Sequence, residues 1–170
     1  MQITIFKNIK ETSAPFVRSV DVILERIKNG KSKDLIAKIR KEKDKEARNL
    51  LKQDLPAICF SGVFFKREDK AIETHSGIIC LDFDGFKTKK AMLEKKTKLT
   101  KDKFIYSVFI SPSGNGLKVL VKIPADIENH CSYFQALEEY FGCEEFDRKC
   151  SNISRVCYES HDEDLYLNID

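Results

Sequence analysis

Residues 2–9, Gln-Ile-Thr-Ile-Phe-Lys-Asn-Ile, alternate apolar and polar side chains and predict a first strand, which Glu11–Pro15 break. Val20, Ile23, Leu24 and Ile27 then recur at helical spacing, predicting a helix over Val17–Lys28 that Asn29-Gly30 stops. A second helix is expected from an N-cap at Ser32, with Leu35, Ile36, Ile39, Leu50 and Leu51 set among charged residues and Pro56 at its end. From residue 57 the texture turns to short strands, Ala57–Phe60 and Val63–Phe65, followed by a polar stretch over Lys66–Ser76. Ile78–Leu81 is apolar on both faces, as a strand covered on both sides requires. The pattern next predicts a lysine-rich helix over Lys89–Leu99, a strand over Phe104–Ile110, a turn over Ser111–Gly116 and an alternating strand over Leu117–Ile123. Asp126 is read as the cap of a helix reaching Phe141, burying Ile127, Cys131, Phe134, Leu137 and Phe141 and ending at Gly142. A strand over Ile153–Tyr158 and a short acidic tail close the chain. This order is an α+β pattern whose hairpins exclude a purely parallel sheet. With no clear boundary, residues 1–170 read as one domain, an N-terminal αβ unit over about 1–56 and a second part over 57–170.

With 42% hydrophobic residues among 170, the chain can bury a self-supporting core without disulfide or metal staples. Its 30 basic and 27 acidic residues are too balanced to announce a polyanionic partner. The basic run Lys38–Arg48 is interrupted by Glu42, Asp44 and Glu46 and reads as a solvated helix face. No apolar run approaches the roughly 20 residues that cross a bilayer, and Met1 leads into strand-like sequence rather than a signal peptide, so a cytoplasmic protein without a membrane partner is expected. The cysteines at 59, 80, 131, 143, 150 and 157 include no C-x-x-C pair and read as reduced, small hydrophobes. Cys143, Cys150 and Cys157 lack the close pairing usual for zinc.

Asp82 and Asp84, at i and i+2 on a strand, point to one face and can share divalent cations. Such a pair alone is a weak signal, because acids at a strand end also cap turns. Two features add to it. The glycines at 114 and 116 give the turn Ser111–Gly116 a backbone that can approach an anion, and Lys118 follows directly, so together they suit a triphosphate. Downstream, Asp147 is a candidate third carboxylate and Arg155 a phosphate or sugar contact.

Four segments carry a family resemblance: Leu55-Pro-Ala-Ile-Cys-Phe-Ser-Gly-Val-Phe, His75-Ser-Gly-Ile-Ile-Cys-Leu-Asp-Phe-Asp, Ser111-Pro-Ser-Gly-Asn-Gly-Leu-Lys and Ser154-Arg-Val-Cys-Tyr-Glu-Ser-His-Asp. Together they resemble the primase-like N-terminal domain named for VirE or BT4734-like proteins, itself similar to the archaeo-eukaryotic primase (primase-polymerase) superfamily. The resemblance implies an α+β fold with an RRM-like palm, a mixed sheet flanked by helices. It implies template-directed nucleotidyl transfer in replication of a phage, plasmid or mobile element, with Mg²⁺ or Mn²⁺ on Asp82, Asp84 and Asp147. By the same resemblance Ser111, Ser113, Gly114, Asn115, Gly116, Lys118 and Arg155 are the nucleotide-binding residues. Lys118 stands where the superfamily usually has histidine. It can hold phosphate as a point charge but does not shuttle protons near neutral pH. Asp162 and Asp164 are alternatives to Asp147. His75, too far up the strand from Asp84 to share its metal, is read as a capping or packing residue.

The implied partners are single-stranded or primed DNA, nucleoside triphosphates, and a helicase or other replication domain, fused or in trans. The template groove is expected along Lys87, Lys89, Lys90, Lys95 and Lys96. Rival readings are a non-catalytic nucleotide- or nucleic-acid-binding module and a metal-dependent nuclease using the same acids. The absence of two histidines separated by one apolar residue argues against a nicking enzyme.

Overall fold

The computed structural model describes residues 1–169. Ten strands and five helices follow one another along them: β1 (Gln2–Phe6), β2 (Phe16–Ser19), α1 (Val20–Lys28), α2 (Lys33–Lys41), α3 (Lys45–Lys52), β3 (Ala57–Cys59), β4 (Gly62–Phe64), β5 (Ile72–His75), β6 (Ile78–Phe83), α4 (Lys89–Leu99), β7 (Ile105–Ile110), β8 (Leu117–Lys122), α5 (His130–Phe141), β9 (Cys157–Tyr158) and β10 (Tyr166–Leu167). The strands form sheets of order β2-β1-β3-β9 and β10-β7-β8-β6 and a separate β4-β5 pair. The class is α+β. The named ladders are all antiparallel, so the expected mixed sheet is replaced by antiparallel ones.

The second sheet is covered on both faces. Ile78, Phe109 and Leu120 pack with Ile23, Leu24 and Ile27 of α1 and with Ile3, Ile5 and Ile58 of the first sheet. On the opposite face Ile79, Leu81, Phe83, Val119 and Val121 pack with Met92 and Leu99 of α4 and Phe134 of α5. This explains the unbroken apolar run of β6, and it decides where the acids go. By strand alternation Asp82 lies on the face of Ile78 and Cys80, towards the first sheet.

Several boundaries differ from the sequence pattern for identifiable reasons. Residues 17–19 leave the predicted helix and, with Phe16, pair with β1, Ile5 facing Phe16 and Gln2 facing Ser19. Ser19 then caps α1 through its hydroxyl, which accepts the Val22 N–H at 3.4 Å. The long second helix is two helices, because Glu42 accepts the Asp44 N–H at 2.9 Å and Asp44 accepts that of Ala47 at 2.8 Å, starting α3 afresh. Ser32 does not cap α2; its hydroxyl goes to Glu159. Asp126 caps a turn, accepting N–H bonds from Glu128 and Asn129, and α5 starts only at His130. Ile127 and Cys131 are therefore exposed, and the packed face carries His130, Phe134, Leu137 and Phe141. The strand expected over 153–158 shrinks to β9, while the acidic tail supplies β10 on the edge of β7. The N-terminal αβ unit is interleaved with the rest, since β1 lies between β2 and β3.

His75 ends β5, where its Nδ1 accepts the Gly77 N–H at 2.9 Å, so its Nε2–H donates to His130 Nδ1 at 3.0 Å. This bears out the packing and capping role read for it. Burial, then the neighbouring His75, pushes His130 down to about 4, and burial also lowers His75. The unfolded chain takes up these protons near 6.5 and the folded pair only well below it, so the folded state loses stability as pH falls from about 6.5 towards 4. Urea midpoints at pH 7.5 and 5.5 should therefore separate more for the wild type than for His130→Gln.

Candidate functional site

A cavity of about 260 Å³ opens where the C-terminal end of β6 meets the first sheet, lined among others by Lys52, Cys80, Asp82, Asp84, Ser111, Ser113, Asn115, Lys118, Asp147, Cys150 and Arg155. Each predicted element contributes. Asp82 faces Lys118 in the β6–β8 register, and the Lys118 ammonium donates to Asp82 Oδ2. Burial alone would lower the Lys118 pKa, but the Cys157 sulfur and the Asp82 carboxylate more than offset burial and hold it above its ordinary value. Lys118 is thus a permanently charged group.

Asp147 reaches the site through backbone pairing. Its N–H donates to Asp82 O at 2.9 Å, the Asp84 N–H donates to Glu145 O at 2.8 Å, and Phe83 and Phe146 form an antiparallel bridge between them. Phe146 is buried against Phe83 and Phe134, with ring centroids 5.5 and 5.4 Å away, so an apolar anchor fixes the acid that follows it. Burial opposes ionisation of Asp147, but the Lys149 N–H, the Cys150 thiol, Arg155 and Lys118 together hold its carboxyl below the usual range. One carboxylate oxygen from each of Asp82 and Asp147 and the Cys150 sulfur lie within 4.8 Å of one another. Asp84 lines the same cavity but is exposed at the strand end, where it accepts the Gly85 N–H at 2.8 Å.

The Ser111–Gly116 loop works differently from the expectation. Ser111 N–H donates to Gly116 O, Gly114 N–H to Ser111 O and Gly116 N–H to Ser111 Oγ, at 2.8, 2.9 and 3.2 Å, so these amides are engaged within the loop. Gly114 and Gly116 shape it instead. Gly114 is left-handed (φ 78°), and a Cβ on Gly116 would stand 2.7 Å from Phe83 O, so only glycine lets the loop abut the end of β6. Ser113 and Asn115 line the cavity, and their side chains make no hydrogen bond among the described residues.

Residues that sequence reasoning passed over complete the site. Arg40, read as part of a solvated face, braces the loop by donating to Ser111 O at 3.3 Å and His161 O at 2.8 Å. Asp69 pins the segment that carries Arg155, accepting from Ser154 N–H and Oγ at 3.0 and 2.5 Å. Arg155 itself donates to Lys149 O at the cavity rim. Cys150, three residues after Asp147, donates to its Oδ2 at 3.4 Å.

Two expectations are corrected here. Asp162 is not an alternative third acid: its carboxylate is buried in a 2.7 Å ion pair with Lys96 and also accepts the Ile110 N–H at 2.8 Å. Asp164 gives its backbone carbonyl to the same ammonium at 2.8 Å and does not line the cavity. Lys96, being buried there, is withdrawn from the basic face, whereas Lys87, Lys89 and Lys90 remain exposed and Lys95 sits 5.5 Å from the centre of the Phe83 ring.

An α+β domain with carboxylates, a half-buried lysine and a serine- and glycine-bearing loop around one crevice is the class that these observations define. The family model of the BT4734-like N-terminal domain matches residues 50–167, and the chain belongs to that family. No curated protein and no solved structure matches it. The matched span contains every cavity residue named above, while Arg40 lies before it. Among the described residues no helix is long and apolar enough to cross a membrane.

Proposed function

We propose that this domain catalyses template-directed nucleotidyl transfer: a primer 3′-hydroxyl attacks the α-phosphate of a nucleoside triphosphate, the α–β phosphoanhydride bond breaks, and pyrophosphate leaves. The observation that supports this reading most is the convergence of Asp82, Asp84 and Asp147 with Lys118 and the Ser113–Asn115 rim in one cavity. Asp82 and Asp147 place carboxylate oxygens within 4.8 Å of each other, with Asp84 adjoining, an oxygen set that suits a hard divalent cation, while Cys150, its thiol pushed up chiefly by burial, stays protonated against Asp147 and is not a ligand. When bound, Mg²⁺ or Mn²⁺ neutralises triphosphate charge and lowers the pKa of the attacking hydroxyl.

The chain's own groups supply the rest. Lys118 compensates Asp82 in the free protein, and an anionic triphosphate competes with that carboxylate for the ammonium. Because Lys118 stays charged, it holds phosphate oxygen and takes no proton from the hydroxyl. Ser113 and Asn115 offer uncommitted donors at the rim, and Arg155 adds a guanidinium beside Asp147. The exposed Lys87, Lys89 and Lys90 and the half-buried Lys95 provide the basic face for a template.

The test is incorporation of labelled deoxy- and ribonucleoside triphosphates on primed and unprimed single-stranded DNA of defined sequence. Product whose composition follows the template supports the reading. Strand cleavage without nucleotides would indicate a nuclease, and a folded protein that binds DNA and Mn²⁺ without making product would indicate a binding module.

A further inference from the structure

Three cations line the cavity, and two are already engaged: Lys118 with Asp82, and Arg155 with the Lys149 carbonyl. Lys52 is the third. It is half-buried and has no hydrogen-bond or ion-pair partner among the described residues. The helix that carries it has no fully buried residue and leaves Leu50 64% exposed, its Leu51 packing half-buried against Ile36, Ile39 and Leu55. Arg48 and Lys52 stand at i and i+4 on that helix, a like-charge spacing that weakens an isolated helix. The Arg48 Nε is also buried without a partner. Burial, then the charges of Arg48 and Lys118, lowers the Lys52 pKa against the opposing pull of Asp84 and Asp82. A positive charge placed at this disadvantage, in a cavity with uncommitted donors at Ser113 and Asn115, suits an incoming anion.

We propose that Lys52 anchors the polyphosphate tail of the nucleotide, binding the terminal phosphates while Asp82 and Asp147 serve the reacting end. This rests on the nucleotidyl-transfer reading of the same cavity. It makes the helix α3, and not the loop alone, part of the triphosphate site.

The experiment is calorimetric titration of the whole chain with inorganic tripolyphosphate, adenosine monophosphate and a single-stranded oligonucleotide, for wild type, Lys52→Ala and Lys52→Arg. Loss of one charge-assisted phosphate contact predicts tripolyphosphate binding weaker by about 10-fold or more in Lys52→Ala, with most of it restored in Lys52→Arg. Monophosphate and oligonucleotide affinities are expected to change by less than about 2-fold, and the melting temperature to hold or rise as the i,i+4 repulsion is removed. Equal tripolyphosphate affinity in wild type and Lys52→Ala, no tripolyphosphate binding by the wild type, or a loss confined to the oligonucleotide would each overturn the proposal. Tripolyphosphate binding involves no synthesis. A protein that makes no DNA yet shows the predicted loss would remove the catalytic reading and keep Lys52 as a polyphosphate anchor.

Discussion

Asp82→Asn is expected to reduce nucleotide incorporation by about 10³-fold or more, because it removes the carboxylate that Lys118 and Asp147 are arranged around and with it several kcal/mol of charge stabilisation at the reacting phosphate. The same change leaves Lys118 charged, with its side chain only 15% exposed and its anionic partner gone. Stability should therefore fall as well, by about 2 kcal/mol, since the charge keeps some access to water. The two effects separate in a double-mutant cycle. Adding Lys118→Met removes the stranded charge, so urea unfolding of the double variant should recover towards wild type while incorporation stays lost. Incorporation near the wild-type rate in a folded Asp82→Asn protein would remove Asp82 from the chemistry.

The largest loss of stability is expected at a position outside the cavity lining. Lys96→Met keeps the length of the side chain but takes the ion-pair partner from Asp162, whose side chain is 4% exposed and retains N–H donors from Ile110 and Asp164 and the neighbouring charge of Arg40. Breaking one partner of a buried ion pair costs about 3–5 kcal/mol, enough to place this domain near its unfolding threshold. Lys96 ties α4 to the segment that leads into β10, so edge-strand pairing with β7 should loosen first and the amides of 105–110 should exchange faster. Urea unfolding of Lys96→Met within about 1 kcal/mol of wild type would show that the pair is exchangeable with solvent and not a structural clasp.

The residues at the centre of the site were legible because strand periodicity and a turn signal are local. Ile78–Leu81 announced a covered strand, Asp82 and Asp84 stood at its end, and Lys118 followed a turn whose glycines have a specific steric task. Asp147 was placed from its resemblance to a family motif, and the structure supplies the physical cause, backbone pairing of 145–147 with the end of β6. What was illegible depends on long-range contacts. Arg40 and Lys52 sit in helices whose charge pattern looks solvated, and nothing local tells that α2 lies against the Ser111–Gly116 loop. The identities of Asp162 and Lys96 give no sign of burial, since each lies among charged neighbours; only their pairing across 66 positions makes the burial tolerable. The helix boundary at 42–44 was readable in principle, because Glu42 and Asp44 are side chains that compete for backbone N–H groups. The apolar stripe drawn through Ile127 and Cys131 failed because the Asp126 turn delays the helix by a full turn.

Single-turnover incorporation of a labelled deoxynucleotide on a primed template in Mn²⁺, with wild type, Asp147→Asn and Asp162→Asn compared at equal folded concentration, shows whether Asp82 and Asp147 act together on a nucleotide. We expect template-directed product from wild type, loss of about 10³-fold in Asp147→Asn, and product from whatever fraction of Asp162→Asn is folded. Full activity in Asp147→Asn, or loss in a well-folded Asp162→Asn, would contradict that joint action.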